Sequence, residues 1–94
     1  IKKKVPDGGS NLGTYYDLSP YVSRAVAPGT WHDIVATVVD RADGSVRIDL
    51  WIDGSLAVSG IDSGVGGPVL HAGQVGVRGD NANFQFDDFT VTAQ

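Results

Sequence analysis

Hydrophobic and polar residues alternate most regularly in the middle of the chain. From Ser45 to Asp53 every second residue is a large aliphatic, and the positions between them are charged or aromatic. The same period of two runs less strictly through Trp31–Asp40, which is typical of half-buried antiparallel strands. The pairs Asp43-Gly44 and Asp53-Gly54 supply the backbone freedom that tight turns need. The pattern predicts a three-stranded meander whose third strand covers residues 56–58.

Turn signals divide the rest of the chain into further short segments. We expect strands at 1–5, 12–18 and 21–26 before the meander, and at 73–78 and 84–92 after it. Roughly seven or eight short strands with turns between them predict an antiparallel β-sandwich. Good helix formers are scarce, because all 11 acidic residues are Asp, Met is absent and 13 residues are Gly. The sequence therefore predicts a single all-β domain over residues 1–94.

Charge and residue choice exclude several classes of protein. The net charge of −4 argues against a nucleic-acid partner, which needs clustered cations. Lysine occurs only in the run Lys2–Lys4, which we expect to be a solvated strand end. No apolar run approaches the roughly 20 residues of a membrane span, so none is predicted. The absence of Cys excludes disulfides.

Three segments together resemble the concanavalin A-like jelly rolls, a family that includes the laminin G-like domains. Pro28-Gly29-Thr30-Trp31-His32 is similar to the family's G-x-W-H entry to a central strand. Trp51-Ile52-Asp53-Gly54 resembles its D-G hairpin, and residues 76–91, with Phe86-Asp87-Asp88-Phe89, resemble its closing strand pair. The resemblance runs from about Val26 to the end of the sequence. It implies a jelly-roll sandwich, a fold that hosts lectins, carbohydrate-binding modules, glycosidases, lyases and adhesion domains.

The family's usual domain is longer than this chain, and the match begins inside it. We therefore expect the chain to be the C-terminal half of a jelly roll, with the N-terminal half missing or supplied by a second chain. Such a piece would expose apolar strand faces and unpaired edges. The lack of an initiator Met and of an apolar leader also indicates a processed or excised piece. The resemblance, with a composition rich in Asp and free of Cys, predicts a secreted or cell-surface protein.

The candidate binding residues surround Trp51. This side chain shares a predicted strand face with Arg47 and Asp49, and an aromatic ring among polar groups suits the apolar face of a sugar. Arg47 and Asp49 would then exchange hydrogen bonds with hydroxyl groups. Tyr16 is a further candidate for the binding surface. The alternative is that Trp51 packs under a loop or against a missing strand, as we expect for Trp31, which resembles the family's core tryptophan.

A second group of candidates surrounds the pair Asp87-Asp88. The apolar alternation changes phase there, which predicts a β-bulge. The resemblance implies that Asp88 helps to hold a structural Ca²⁺ together with backbone carbonyls and ligands from the missing half. The alternative is plain bulge formation or turn capping. His32, at the start of a predicted strand, is expected to be a hydrogen-bonded structural residue.

No catalytic residues are predicted. The chain has no Glu, and neither a Ser-His-Asp pattern nor a nucleophile elbow is present. Asp49 and Asp53 share a face, but Asp53 is expected to hold its turn. The predicted function is a non-catalytic, lectin-like module that binds a polysaccharide or glycan within a glycan-processing protein. One alternative is part of a polysaccharide lyase or glycoside hydrolase whose catalytic residues lie mainly in a missing N-terminal segment, and another is a structural or adhesion sandwich. Whether the parent protein is an enzyme stays open.

Overall fold

The structure is a computed structural model that describes residues 1–8 and 12–93. These residues form two antiparallel β-sheets and contain no α-helix, which confirms the all-β prediction. The strands are β1 (Lys2–Val5), β2 (Thr14–Asp17), β3 (Ile34–Asp40), β4 (Val46–Ile52) and β5 (Ser55–Asp62). Strands β1 and β2 pair with each other, and the second sheet has the order β3-β4-β5. None of the described residues lies in a helix long and apolar enough to cross a membrane.

The predicted meander is confirmed. Strand β3 pairs with β4 along its whole length, and β4 pairs with β5. In the first turn, the Asp43 carboxylate accepts hydrogen bonds from the amide and hydroxyl of Ser45, at 2.9 and 2.6 Å, and Gly44 has a φ of 83°. In the second turn, Asp53 and Gly54 adopt φ values of 50° and 79°. Both turns thus use the left-handed backbone that Asp-Gly sequences favour.

Strand β5 is longer than the sequence predicted, and it contains an irregularity. Leu50 lies opposite Val58, but the next residue, Trp51, lies opposite Leu56, so Ala57 has no partner position on β4. One extra residue on one strand is the definition of a β-bulge. Because of this bulge, Leu56 and Ser59 both lie on the Trp51 side of the sheet, although they are three positions apart.

The two sheets meet where β2 ends beside β5. The amide of Ile61 donates to the carbonyl of Leu18 at 3.3 Å. The chains can approach this closely because residue 60 is a glycine: a Cβ there would lie 2.9 Å from the Leu18 oxygen. The best-buried side chains are nearby. Val46, only 1% exposed, pairs with Asp62 of β5, and Asp62 in turn binds Lys3 of β1.

Burial of Lys3 corrects the prediction that the lysine run is a solvated strand end. Lys2 and Lys4 are exposed, but Lys3 is 4% exposed. Alternation along β1 explains the difference, because neighbouring side chains of a strand point to opposite faces. The sequence pattern gave no indication that the inward face of β1 would find a carboxylate partner.

The expected strands at 21–26, 73–78 and 84–92 are wrong for this structure. None of these residues pairs in a sheet. An alternating pattern favours extended backbone, but a strand also needs a neighbour with which to exchange hydrogen bonds. Within residues 1–8 and 12–93, none of these segments forms such a ladder with a strand.

Apolar strand faces are exposed, as the sequence analysis expected. Large hydrophobic residues with more than a third of their surface exposed occur on both faces of β3, at Ile34, Val35, Val38 and Val39. Trp31, predicted to be a core residue, is 68% exposed. That prediction is wrong here, because none of the described residues forms a second layer over this end of β3. Apolar faces exposed to this extent are typical of surfaces that contact another layer, and such a layer would stabilise the sheet.

Candidate functional site

The central face of the three-stranded sheet brings together three of the predicted binding residues. Residues directly opposite each other on paired strands have side chains on the same face. Arg47, Asp49 and Trp51 alternate along β4, so all three lie on one face. On that face, the cross-strand neighbours of Arg47 are Val39 and Ile61. Those of Asp49 are Thr37 and Ser59, and those of Trp51 are Val35 and Leu56. We call this surface, defined by Arg47, Asp49, Trp51 and these neighbours, the Trp51 face.

A polar network occupies the middle of the Trp51 face. The Nε of Arg47 donates to both carboxylate oxygens of Asp49, at 3.1 and 3.0 Å, and the hydroxyl of Ser59 donates to Oδ1. The hydrogen bond from Ser59 is the main cause of the lowered pKa of Asp49. Together with the Arg47 contact, it outweighs the effect of burial, which alone would raise that pKa. Asp49 is therefore a carboxylate at neutral pH. Its side chain is 14% exposed, whereas that of Arg47 is 52% exposed.

Trp51 lies two residues beyond Asp49 on the same strand. It has intermediate exposure and stands between the aliphatic side chains of Val35 and Leu56 in the cross-strand direction. The Trp51 face thus combines a partly exposed indole, flanking apolar surface and an adjacent ion pair. An apolar platform next to a few fixed polar groups is the usual composition of a small-ligand site.

Tyr16 lies apart from this face. It belongs to the two-stranded sheet, where it pairs with Lys3. Its ring packs against Gly66, so closely that a methyl group on that glycine would overlap the ring. The Tyr16 ring therefore packs the loop after β5 against β2, on a different sheet from the Trp51 face.

The first two segments of the family resemblance meet through His32 and Asp53. Nδ1 of His32 lies 2.7 Å from Oδ2 of Asp53, and the amide of Asp33 donates to Oδ1 at 2.9 Å. The His32 contact is the largest cause that lowers the pKa of Asp53, followed by the Asp33 amide. His32 is hydrogen-bonded, as expected, whereas the Asp53 side chain binds residues 32 and 33 and so links its turn to the segment before β3.

A groove of about 330 Å³ lies beside this pair. It is lined by Trp31, His32, Asp33, Ile34, Asp87 and Asp88. Asp88 has a φ of 53°, in the left-handed region, and its amide donates to the Asp87 carboxylate at 2.8 Å. Neither residue pairs with a strand, so the predicted β-bulge does not form. Across the described part of the chain, no three His or Asp side chains are grouped to hold a metal. Asp88 alone supplies two of the six to eight oxygens that Ca²⁺ takes.

Lys3 and Asp62 form the most enclosed polar cluster of the described residues, and the sequence did not predict it. Nζ of Lys3 lies 3.1 Å from Asp62, 3.1 Å from the carbonyl of Gly67 and 2.6 Å from that of Pro68. Asp62 also accepts hydrogen bonds from the amides of Gly64 and Leu70. The partners are far apart in the sequence, and no local signal connects them. All three ammonium protons have acceptors, so the cluster holds the loop after β5 in place.

Searches against protein-family models, curated proteins and solved structures found no match to this chain.

Proposed function

We propose that this chain is a non-catalytic, carbohydrate-binding module of the concanavalin A-like jelly-roll type, and that the Trp51 face is its binding surface. One observation carries the proposal: Trp51 lies beside the Arg47–Asp49 pair on the same face of the central sheet. The antiparallel, all-β architecture and the contact between the two motif segments, through His32 and Asp53, are consistent with the family resemblance.

Each part of the Trp51 face has a role in this proposal. The indole offers its face to the C–H surface of a sugar ring, where stacking removes apolar area from water. The half-exposed guanidinium of Arg47 donates hydrogen bonds to hydroxyl oxygens. Asp49, ionised and held by Ser59 and Arg47, accepts from a hydroxyl group through the remaining capacity of Oδ2. A charged acceptor fixed in this way is already oriented before the ligand arrives.

The arrangement favours binding over hydrolysis. Glycosidases need two carboxyl groups across the scissile bond, one of which keeps a raised pKa. Asp49 of β4 and Asp53, in the turn just after it, are the candidate pair, but the pKa of each is lowered by its hydrogen-bond partners. Asp53 is also engaged on both oxygens, by His32 and by the Asp33 amide.

The wider setting of the module is proposed on the resemblance. The module belongs to a secreted or cell-surface glycan-processing protein, and a second segment or chain covers its exposed apolar faces. Asp88 would contribute to a structural Ca²⁺ whose other ligands come from that second part. Calorimetric titration of the chain with CaCl₂, with Asp88→Asn as the control, tests the contribution of Asp88: heat that the variant abolishes supports it as a ligand, and heat that the variant retains rejects it.

The test of the binding site is affinity electrophoresis through gels that contain soluble polysaccharides, with β-glucan, xylan, mannan and polygalacturonate as probes. We expect at least one polymer to retard the wild-type chain and Trp51→Ala to weaken that retardation at least about tenfold. Trp31→Ala is the matched control, because Trp31 is the other tryptophan and does not belong to the cross-strand pairs that define the Trp51 face. Equal retardation of the wild type and Trp51→Ala would refute the site.

A further inference from the structure

Both ring nitrogens of His32 face hydrogen-bond acceptors. Nδ1 lies 2.7 Å from the Asp53 carboxylate. Nε2 lies 2.8 Å from the carbonyl oxygen of Ala27 and 3.0 Å from Oγ1 of Thr30. The hydroxyl of Thr30 itself donates to the Ala27 carbonyl, at 2.8 Å, so its oxygen is left to accept from His32. An imidazole whose two nitrogens both face acceptors satisfies both contacts only when it carries two N–H groups.

Neutral histidine does not fit this arrangement. Whichever nitrogen loses its proton presents a lone pair to an oxygen, either the Asp53 carboxylate or the Ala27 carbonyl. One of the two contacts then becomes repulsive. The positively charged ring, by contrast, makes a charge-assisted hydrogen bond to Asp53, the stronger kind of contact.

The two contacts join separate parts of the chain. Ala27 and Thr30 lie in the turn that precedes β3, and Asp53 lies in the turn between β4 and β5. Two further hydrogen bonds join these parts beside His32. The amide of Asp33 donates to the Asp53 carboxylate at 2.9 Å, and the amide of Asp53 donates to the Asp33 carbonyl at 2.8 Å. Trp31 is the residue immediately before His32, and it forms one wall of the groove that Asp87 and Asp88 line.

We propose that His32 is a pH-operated clamp: in its doubly protonated form it ties the segment 27–31 to the β4–β5 turn, and on losing a proton it releases that segment, which includes the exposed Trp31. The charged groups around it are Asp53 and Asp33 beside the ring, Arg24, whose guanidinium binds the Ile52 carbonyl, and Asp87 and Asp88 across the groove. Four of these five groups are acidic, so the surroundings favour the charged ring.

The direction of the pH dependence follows from the two partners. The Ala27 hydrogen bond, and after it the Asp53 hydrogen bond, raise the pKa of His32 above 6.5. The clamp is therefore fully closed below about pH 6.5 and opens as the pH rises through the raised pKa. The pKa of Asp53 is lowered below 3.8, so loss of its charge opens the clamp only in strong acid. The closed state thus spans mildly acidic conditions.

The test is an NMR titration of the ¹⁵N-labelled chain from pH 5 to pH 9. Long-range ¹H–¹⁵N spectra report the protonation of each imidazole nitrogen, and His71→Gln assigns the signals, because the chain has 2 histidines. We expect a His32 midpoint above 6.5 and backbone amide shifts at 29–31 that follow the same midpoint. Asp53→Asn should lower the midpoint, and His71→Gln should leave it unchanged.

A His32 midpoint at or below 6.5 would overturn the proposal. So would amides at 29–31 that do not respond when His32 titrates, because the residue would then carry a proton without holding the segment. If Asp53→Asn fails to fold, the wild-type curves still decide between these results. His32→Gln provides a second variant, in which the pH response of the 29–31 amides should disappear.

Discussion

Lys3 and Asp62 form an ion pair 3.1 Å long in which the two side chains are only 2% and 4% exposed. The pair connects β1 to the last residue of β5, and through the Gly67 and Pro68 carbonyls it also holds the following loop. A backbone hydrogen bond from Ile61 to Leu18 and the close approach at Gly60 also join the two sheets. We infer that this polar cluster is central to the stability of the junction.

Lys3→Met should lower the free energy of unfolding by about 3–5 kcal/mol, because it leaves the buried Asp62 carboxylate without its charged partner. Lys2→Met is the matched control. Lys2 lies on the exposed face of the same strand, 3.9 Å from the exposed Asp17, so its loss should change stability by no more than about 0.5 kcal/mol. Urea unfolding followed by circular dichroism measures both. Equal losses for the two variants would contradict the assignment.

The same pair predicts sensitivity to acid. Burial alone would raise the pKa of Asp62, but the Gly64 amide, Lys3 and the Leu70 amide outweigh it and lower the pKa below 3.8. A carboxyl group with a lowered pKa stabilises the fold above its unfolded value, and this contribution is lost as the pH falls through the folded value. We therefore expect the thermal midpoint to fall steeply below about pH 4.

Asp62→Asn identifies how much of this acid response comes from one carboxylate. The variant should be less stable at pH 7, and its thermal midpoint should change less between pH 5 and pH 2.5 than that of the wild type. Asp17→Asn, at an exposed position of β2, should run parallel to the wild type. If the thermal midpoint of Asp62→Asn fell with pH as steeply as that of the wild type, the acid response would have another origin.

Gly66 is predicted to be intolerant of any side chain. Its φ of 68° lies in the left-handed region, and a methyl group would overlap the ring of Tyr16. Gly44 provides the control, because it has a φ of 83° with open space where its Cβ would be. Gly44→Ala should cost about 1–2 kcal/mol from backbone strain alone. Gly66→Ala should lower the free energy of unfolding by about 1–3 kcal/mol more than Gly44→Ala does. Equal losses in urea unfolding would show that the Tyr16 ring moves aside without cost.

The meander could be predicted from the sequence because its signals are local. Alternation in Ser45–Asp53 fixes which residues share a face, and the Asp-Gly pairs fix where the chain turns. The same alternation correctly placed Arg47, Asp49 and Trp51 together. Ser59 was not predicted to join them, because the bulge at Ala57 shifts the register of β5 and is not encoded by the period-two pattern.

Features that depend on distant partners could not be predicted. Residues 73–78 and 84–92 have the composition of strands, but they pair with no strand among the described residues. Burial of Lys3 depends on Asp62, 59 positions away, and one inward-facing lysine in a run of three gives no sign of its partner. Trp31 was expected to be buried in a core. It is exposed because none of the described residues forms a second layer over it.

The state of Asp49 provides a direct test of the proposed binding face. The Ser59 hydroxyl is the largest cause that lowers the pKa of Asp49, ahead of the contact from Arg47. Ser59→Ala should therefore raise that pKa more than Arg47→Gln does. Carboxyl ¹³C NMR during an acid titration measures both changes. Asp43, whose lowered pKa comes chiefly from Ser45, is the internal control and should titrate identically in both variants.

Affinity for a glycan should follow the orientation of Asp49 and not only its charge. At neutral pH the carboxyl group stays ionised in Ser59→Ala, but its Oδ1 loses the fixed donor that orients it. We expect weaker retardation in polysaccharide gels for Ser59→Ala, in the range of about threefold to tenfold, which corresponds to the loss of one hydrogen bond. Ser55→Ala is the matched control, because Ser55 lies opposite Ile52 and therefore on the other face of the sheet. If both variants bind like the wild type while Trp51→Ala does not, the indole alone carries recognition and Asp49 serves only to hold β4 against β5.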